Sequence, residues 1–230
     1  MLVKNWMSEN VRTIDVDDSM QHAISIIKEH QIRMLPVLKD GKLVGIVSDT
    51  DLKRASASDA TTLDVHELLY LLSKVKIKDI MTKNPITVPP DHTVEETAEI
   101  LMKHKISGCP VVDDKGKVVG IITRDDLFNV LIALSGLGKK GIQWAFQVED
   151  RPGSIKELTD TIRSHGGRIG SILSSYERVP QGFRIVYIRG YSIDRAKLPQ
   201  LQEELKKKAT MIYVVDHRQN KREVFLDLVA

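Results

Sequence analysis

The chain repeats itself, and that constrains its fold more than anything else in it. With an offset of 74 residues, Met7 falls on Met81, Asn10 on Asn84, Thr13 on Thr87, His30 on His104, Ile32 on Ile106, Pro36 on Pro110 and Val37 on Val111. After one inserted residue the offset becomes 75. Gly41, Lys42, Val44, Gly45, Ile46, Asp51 and Leu52 then fall on Gly116, Lys117, Val119, Gly120, Ile121, Asp126 and Leu127. A unit this small leaves its apolar face half covered when alone, so the two copies are expected to pack on each other.

Each copy reads as a short extended lead, a helix, two strands joined by a turn, and a second helix. In the second copy Thr93 with Glu96 three residues on forms a capping box that opens the amphipathic helix carrying Val94, Ala98, Leu101 and Met102. Cys109–Val112, the turn Asp114-Lys115-Gly116 and Val118–Ile122 then read as a hairpin, matched in the first copy by Leu35–Leu38, Asp40-Gly41 and Leu43–Val47. Between the copies, Asp64–Val75 has the apolar stripe of a packed helix.

Both copies end on one pattern: Gly45-Ile46-Val47-Ser48-Asp49-Thr50-Asp51-Leu52 and Gly120-Ile121-Ile122-Thr123-Arg124-Asp125-Asp126-Leu127. A hydroxyl at a strand end, followed three residues later by a carboxylate at a helix start, suits a nucleotide: hydroxyl and free N–H groups face phosphate, and the carboxylate accepts from ribose. The same spacing also caps helices, with the side chains satisfying orphan backbone donors. These endings, with the leads Met7-Ser8 and Ile80-Met81-Thr82, resemble the CBS domain over about residues 3–135. The resemblance implies a domain pair, 3–78 and 79–135, with two clefts, each for an adenosine-containing ligand such as AMP, ATP or S-adenosylmethionine. It assigns Ser48 and Asp51 to the first cleft with Met81, Thr82, Asn84 and Ile86 from the other copy. To the second it assigns Thr123 and Asp126 with Met7, Ser8, Asn10 and Arg12. Asp49 beside Ser48 and Arg124 beside Thr123 make the second cleft the expected phosphate site. Pairs of this family commonly associate through helices, which implies a homodimer.

Net charge changes near residue 136. Residues 1–135 carry 17 Lys/Arg against 20 Asp/Glu, and the remainder 17 against 11. Gly136–Gly141 matches Gly-x-Gly-x-x-Gly but follows a helix and precedes a strand, the reverse of a dinucleotide fingerprint, so it reads as a flexible linker. From there the order is strand, helix, strand, strand, helix, strand: 143–148, 154–164, 168–177, 183–191, 197–207 and 211–216. That is the order of a ferredoxin-like sandwich. With Asp150-Arg151-Pro152-Gly153-Ser154 after the first strand, residues 142–217 resemble the ACT domain. The resemblance implies an amino acid or similar carboxylate effector held near that turn, where Gly153 lets helix N–H groups approach an anion. Arg168 stands where the family often has Asn and is a candidate to select a different carboxylate. Pro152 and Gly153 also suit a plain strand-to-helix connection. Residues 218–230 form a tail with no assignment.

The expected fold class is therefore α+β: two βαββα units followed by a βαββαβ unit. Hydrophobic residues make up 42% and charged residues 28% of the chain, enough for real cores. No apolar stretch reaches the length of a membrane span and no secretory leader is visible. One cysteine, Cys109, leaves no disulfide framework and suits a reducing cytoplasm. The balanced net charge of +3 gives no reason to expect nucleic acid. His30 and His104 end equivalent helices, where capping by a cation is the ordinary role, and His22, His66, His92, His165 and His217 have no metal-ligand spacing. No nucleophile has a base in reach, so no catalytic residue and no metal are expected. Two CBS units followed by an ACT unit resemble the regulatory proteins of acetoin-utilisation systems. The expectation is a non-catalytic sensor of an adenosine ligand that acts on a metabolic enzyme. The alternative is an adaptor whose clefts stay empty and whose units serve dimerisation and partner contact.

Overall fold

The computed structural model describes residues 1–59, 70 and 72–226, which divide into two compact units, Met1–Phe128 and Asn129–Ala230. In the first unit the repeat folds as two matching halves. The first half runs β1 (Ile14–Asp15), α1 (Met20–His30), β2 (Met34–Lys39), β3 (Lys42–Ser48) and α2 (Asp49–Asp59). After α3 (Ile77–Ile80), the second runs β4 (Thr82–Lys83), α4 (Val94–Lys103), β5 (Gly108–Val112), β6 (Val118–Thr123) and α5 (Arg124–Leu134).

Local chemistry sets the helix ends. Ser19 caps α1 by accepting from His22 N at 3.2 Å, and Gln31 closes it in the left-handed region at φ 52°. Thr93 and Glu96 form the expected capping box on α4, Glu96 N donating to Thr93 Oγ1 at 3.2 Å and Thr93 N to Glu96 Oε2 at 2.8 Å. Most of the interval expected as a helix over 64–75 lies outside the described residues. Leu72, which is described, is buried in the first core.

The leading segments are exchanged between the halves. β4, which opens the second copy, pairs antiparallel with β3 of the first (Gly45↔Lys83, Ile46↔Thr82). In return Ser8 bridges Ile121 on β6. The cores follow suit. Met81 and Ile80 pack with Leu35, Val37 and Val47, whereas Val3 and Met7 pack with Leu101, Val111 and Ile122. Glycine makes the exchange possible. A Cβ built on Gly45 would run into the Met81 thioether and come to 3.1 Å of Thr82 O, and one on Gly120 would run into the Met7 side chain. The boundaries 3–78 and 79–135 thus split the copies in sequence but not in space.

Cys109 sits on β5, 1% exposed, and burial pushes its thiol up to about 12. Native protein at pH 8 is expected to resist iodoacetamide, with alkylation tracking unfolding of the first unit by mass spectrometry. Rapid labelling of the native state would contradict this placement.

The second unit runs β7 (Ile142–Glu149), α6 (Ser154–Ser164), β8 (Arg168–Ser175), β9 (Phe183–Tyr191), α7 (Leu198–Lys206), β10 (Thr210–Asp216) and β11 (Lys221–Val224). Its antiparallel sheet has the order β11-β10-β7-β9-β8. Trp144, Phe146, Val186 and Ile188 point to one face and pack with Leu158 and Ile162 of α6 and Leu201 and Leu205 of α7. The alternate positions Ala145, Ile185, Tyr187, Ile212 and Tyr213 cluster together on the other.

Three expectations change here. The tail supplies an edge strand, since β11 pairs with β10 from Tyr213↔Val224 to Asp216↔Lys221. The segment 136–141 is a tight turn rather than a flexible linker. Leu137–Lys139 is a single 3-10 turn, His217 N donates to Gly141 O at 3.1 Å, and a Cβ on Gly141 would collide with the Gly190 carbonyl. The division between units also falls within α5, not after it. The carbonyl of Ser135, just past α5, accepts from Ser171 Oγ at 2.7 Å and Arg189 Nε at 2.6 Å, which ties that end of the helix to the second unit's sheet.

Candidate functional site

The two hydroxyl–carboxylate motifs adopt nearly the same geometry. In the first, Ser48 N and Oγ donate to Asp51 Oδ2 at 2.9 and 2.6 Å, and Asp51 N donates back to Ser48 Oγ at 3.2 Å. In the second, Thr123 N and Oγ1 donate to Asp126 Oδ2 at 2.8 and 2.7 Å, and Asp126 N to Thr123 Oγ1 at 3.4 Å. Each carboxylate thus caps the strand-to-helix turn with one oxygen, and no hydrogen bond engages the other among the described residues.

Around each motif lies a cleft walled by both copies. The first, of about 520 Å³, is lined by Ser48, Thr50 and Asp51, by Thr82, Asn84 and Ile86 of the second copy's leading segment, and by Lys105–Gly108 ahead of β5. The second, of about 330 Å³, is lined by Thr123, Arg124 and Asp125, by Ser8, Asn10 and Arg12, and by Gln31–Met34 ahead of β2. Both volumes fall in the range of small-molecule sites, about 300–1,000 Å³. The strand exchange explains the assembly: β4 on β3 carries Thr82 and Asn84 to Ser48, and the Ser8 bridge to Ile121 carries Asn10 and Arg12 to Thr123.

Most of the expected residues meet where the sequence pairs them, with exceptions. Met81 and Met7 are absent from the linings because they lie over Gly45 and Gly120 as packing. Asp126 is bound to Thr123 and does not line the second cleft, whereas Asp51 lines the first. Asp49 does not face the first cleft, for its carboxylate pairs with Lys53 at 3.0 Å. Arg124 lines both clefts, so it does not separate them electrostatically as expected. Arg12 and Arg33 carry the excess charge of the second, Arg33 lying 3.6 Å from Asp125. Sequence reasoning overlooked the loops Gln31–Met34 and Lys105–Gly108. Their signal was the 74-residue offset itself, which places both just ahead of equivalent strands.

At the turn of the second unit, Gly153 has φ +90° and precedes α6. Ser154 is buried, its hydroxyl donating to Arg151 O at 3.1 Å and accepting from Arg184 Nη2 at 3.3 Å. Arg184, missed in the sequence, also lies 3.5 Å from Asp150. Arg151 is already engaged: its guanidinium donates to both oxygens of Glu157, at 2.8 and 3.1 Å, and to Glu149 at 3.2 Å. The hydrogen bond from Arg151 holds the Glu157 carboxyl below its ordinary range. A cavity of about 290 Å³ beside it is lined by Arg151, Ser154, Glu157 and Lys208 but by none of Asp150, Pro152 and Gly153. Arg168 is not brought to this turn. It pairs with Tyr191 at the Ile142 end of the sheet, whereas the turn follows Glu149, which pairs with Phe183 at the other. The strand α6 feeds runs parallel to β7, so its first residue lies at the far end.

Among the described residues no group of three or more His, Cys, Asp or Glu is arranged to hold a metal ion, and no helix is long and apolar enough to cross a membrane.

The profile of the CBS domain matches residues 3–58 and 77–133. The chain is 35% identical over 133 residues to a CBS domain-containing protein of Dictyostelium discoideum, covering 57% of this chain and 92% of that one. Among solved structures, an acetoin utilization protein (AcuB) of Vibrio cholerae is 28% identical with a TM-score of 0.50, covering 61% of this chain and 96% of that one. The CBS-pair protein CBSX2 of Arabidopsis thaliana is 29% identical with a TM-score of 0.50, covering 57% and 94%. CBSX2 has also been solved in complex with AMP.

Proposed function

This chain belongs to the CBS domain family, and from that premise we propose that it is a non-catalytic regulatory protein whose two clefts take adenosine-containing ligands. One observation carries the reading. Each cleft joins the hydroxyl–carboxylate motif of one copy to the leading segment of the other, so a bound ligand touches both copies and favours one packing of them. Ser48, Asp51, Thr82, Asn84 and Ile86 are the proposed ligand contacts of the first cleft. Ser8, Asn10, Arg12, Thr123 and Arg124 are those of the second, with Asp126 positioning Thr123. The proposed ligands are AMP, ATP and S-adenosylmethionine, which share the adenosine the clefts would hold.

The second unit, with its βαββαβ order, is read as a ferredoxin-like ACT module that answers to an amino acid or other carboxylate near Asp150–Ser154. The likeness to the Vibrio cholerae protein directs the regulatory reading toward an enzyme of acetoin catabolism, acted on by a homodimer. A second reading, an adaptor with empty clefts, draws on one observation: both motif carboxylates already serve as caps within their own turns.

Calorimetric titration with AMP, ATP and S-adenosylmethionine tests the first against the second. Micromolar binding corresponds to about 8 kcal/mol, ample for a conformational coupling of about 1–3 kcal/mol. Asp51→Ala is expected to weaken binding in the first cleft about tenfold or more while lowering stability by only about 1 kcal/mol, the usual cost of a lost cap. No heat with any of the three leaves the adaptor reading.

A further inference from the structure

We propose that Arg124 is shared by the two clefts and makes two phosphate-bearing ligands compete, while uncharged adenosine ligands bind without that penalty. The inference rests on the adenosine reading of the clefts and adds a coupling between them.

The clefts have a common wall. Met34, Ser107 and Arg124 each line both. The repeat is broken at this point: Met34 stands opposite Gly108, whose built Cβ would lie 2.9 Å from Met34 Cε and 2.8 Å from Ile122 O. The methionine therefore extends into space that a side chain at 108 would occupy, and with Ser107 and Arg124 it forms the wall between the cavities. Backbone bonds hold the wall in register from both sides. Arg124 N donates to Ser107 O and Asp49 N to Arg33 O, each at 2.9 Å.

Arg124 is the charged member of that wall, exposed and at the first position of α5. No hydrogen bond or ion pair engages its guanidinium among the described residues, whereas the neighbouring Arg33 has Asp125 at 3.6 Å. Its counterpart by the 75-residue offset, Asp49, is acidic and turned to Lys53, so no second shared cation exists at the equivalent place. Each cleft has basic groups of its own, Lys105 in the first and Arg12 in the second, so anions have a reason to enter both. A guanidinium that completes a fork with one phosphate is then lost to the other, and the second anion also enters beside a like charge.

The experiment is calorimetric titration of the full chain with AMP and, separately, adenosine, in wild type and Arg124→Gln. Adenosine gives the intrinsic difference between the clefts. The spread between the two AMP dissociation constants is expected to exceed that difference by about tenfold in wild type, a coupling of about 1.4 kcal/mol, and to shrink to it in Arg124→Gln. Binding of a single AMP where two adenosines bind is the same result in its extreme. Equal spreads for the two ligands, positive cooperativity with AMP, or a spread that survives in Arg124→Gln overturns the proposal while the adenosine reading stands. Binding of neither ligand overturns both. An unchanged far-ultraviolet dichroism spectrum and urea midpoint show that Arg124→Gln is folded.

Discussion

Trp144→Ala is expected to destabilise the unit formed by residues 129–230 by about 3–5 kcal/mol, the usual cost of removing a large aromatic from a sealed core, and to leave the unfolding of residues 1–128 where it was. Trp144 is 0% exposed on the central strand β7, with its ring against Gly190 of β9 and inside the cluster of Leu158, Ile162, Leu201 and Leu205. A Cβ on Gly190 would lie 3.0 Å from the ring, so backbone and indole are already in contact, and the void left by alanine cannot be closed by the sheet moving inward. The chain has two tryptophans, and the other, Trp6, belongs to the first unit. Urea unfolding of Trp144→Ala followed by fluorescence therefore reads the first unit alone, while far-ultraviolet circular dichroism reads both. An early dichroic step with the Trp6 transition unmoved is the expected result. A Trp6 transition that moves with it would mean that the two units unfold as one.

Gly45→Val is expected to remove one of two adenosine-ligand sites and to cost about 1–3 kcal/mol by overpacking. The built Cβ of Gly45 meets the Met81 thioether and lies 3.1 Å from the carbonyl of Thr82. The thioether is able to turn away, but the carbonyl belongs to β4, which is held to β3 by only two residue pairs. A branched side chain there pushes β4 off the sheet and takes Thr82, Asn84 and Ile86 away from Ser48 and Asp51. The second cleft uses none of the displaced residues. Calorimetric stoichiometry with adenosine is thus expected to fall from two to one, with the remaining site unchanged in affinity. Loss of both sites, or of neither, contradicts the exchanged-strand account of the clefts.

The clefts were legible because the repeat resembles a known domain. The offset laid Gly45 on Gly120 and Asp51 on Asp126, and the resemblance, not the spacing, joined the motif of one copy to the leading segment of the other and so named Thr82, Asn84, Ser8 and Asn10. Met7 and Met81 were legible as belonging to the exchange but not as packing, because whether a methionine points into a cleft or over a glycine depends on one rotamer. Arg124 was visible beside Thr123, yet its reach into both clefts depends on how thin the wall is, and Met34 against Gly108 decides that. In the second unit the order of strands was legible to within two residues, but Arg168 was placed with a turn that the strand direction puts at the other end of the sheet. The tail was opaque: Lys221–Val224 has little apolar pattern, and it becomes a strand only because β10 offers an unpaired edge.

The sequence by itself determined the elements up to residue 216, the hairpin within each copy, and the chemistry of the two hydroxyl–carboxylate turns, because those rest on contacts close in the chain and on hydrophobic period. Tertiary structure alone decided which residues share a wall, where one unit gives way to the next, and which charges remain unpaired. Asp49 and Arg124 open equivalent helices and Arg33 stands just ahead of β2, and as letters neither arginine announces whether it will find a partner. Lys53 takes up the first, Asp125 the second, and nothing among the described residues takes up the third. The Asp49–Lys53 pair is an i,i+4 helix contact that spacing encodes, whereas the Arg33–Asp125 pair and the unpaired Arg124 depend on distances across the fold.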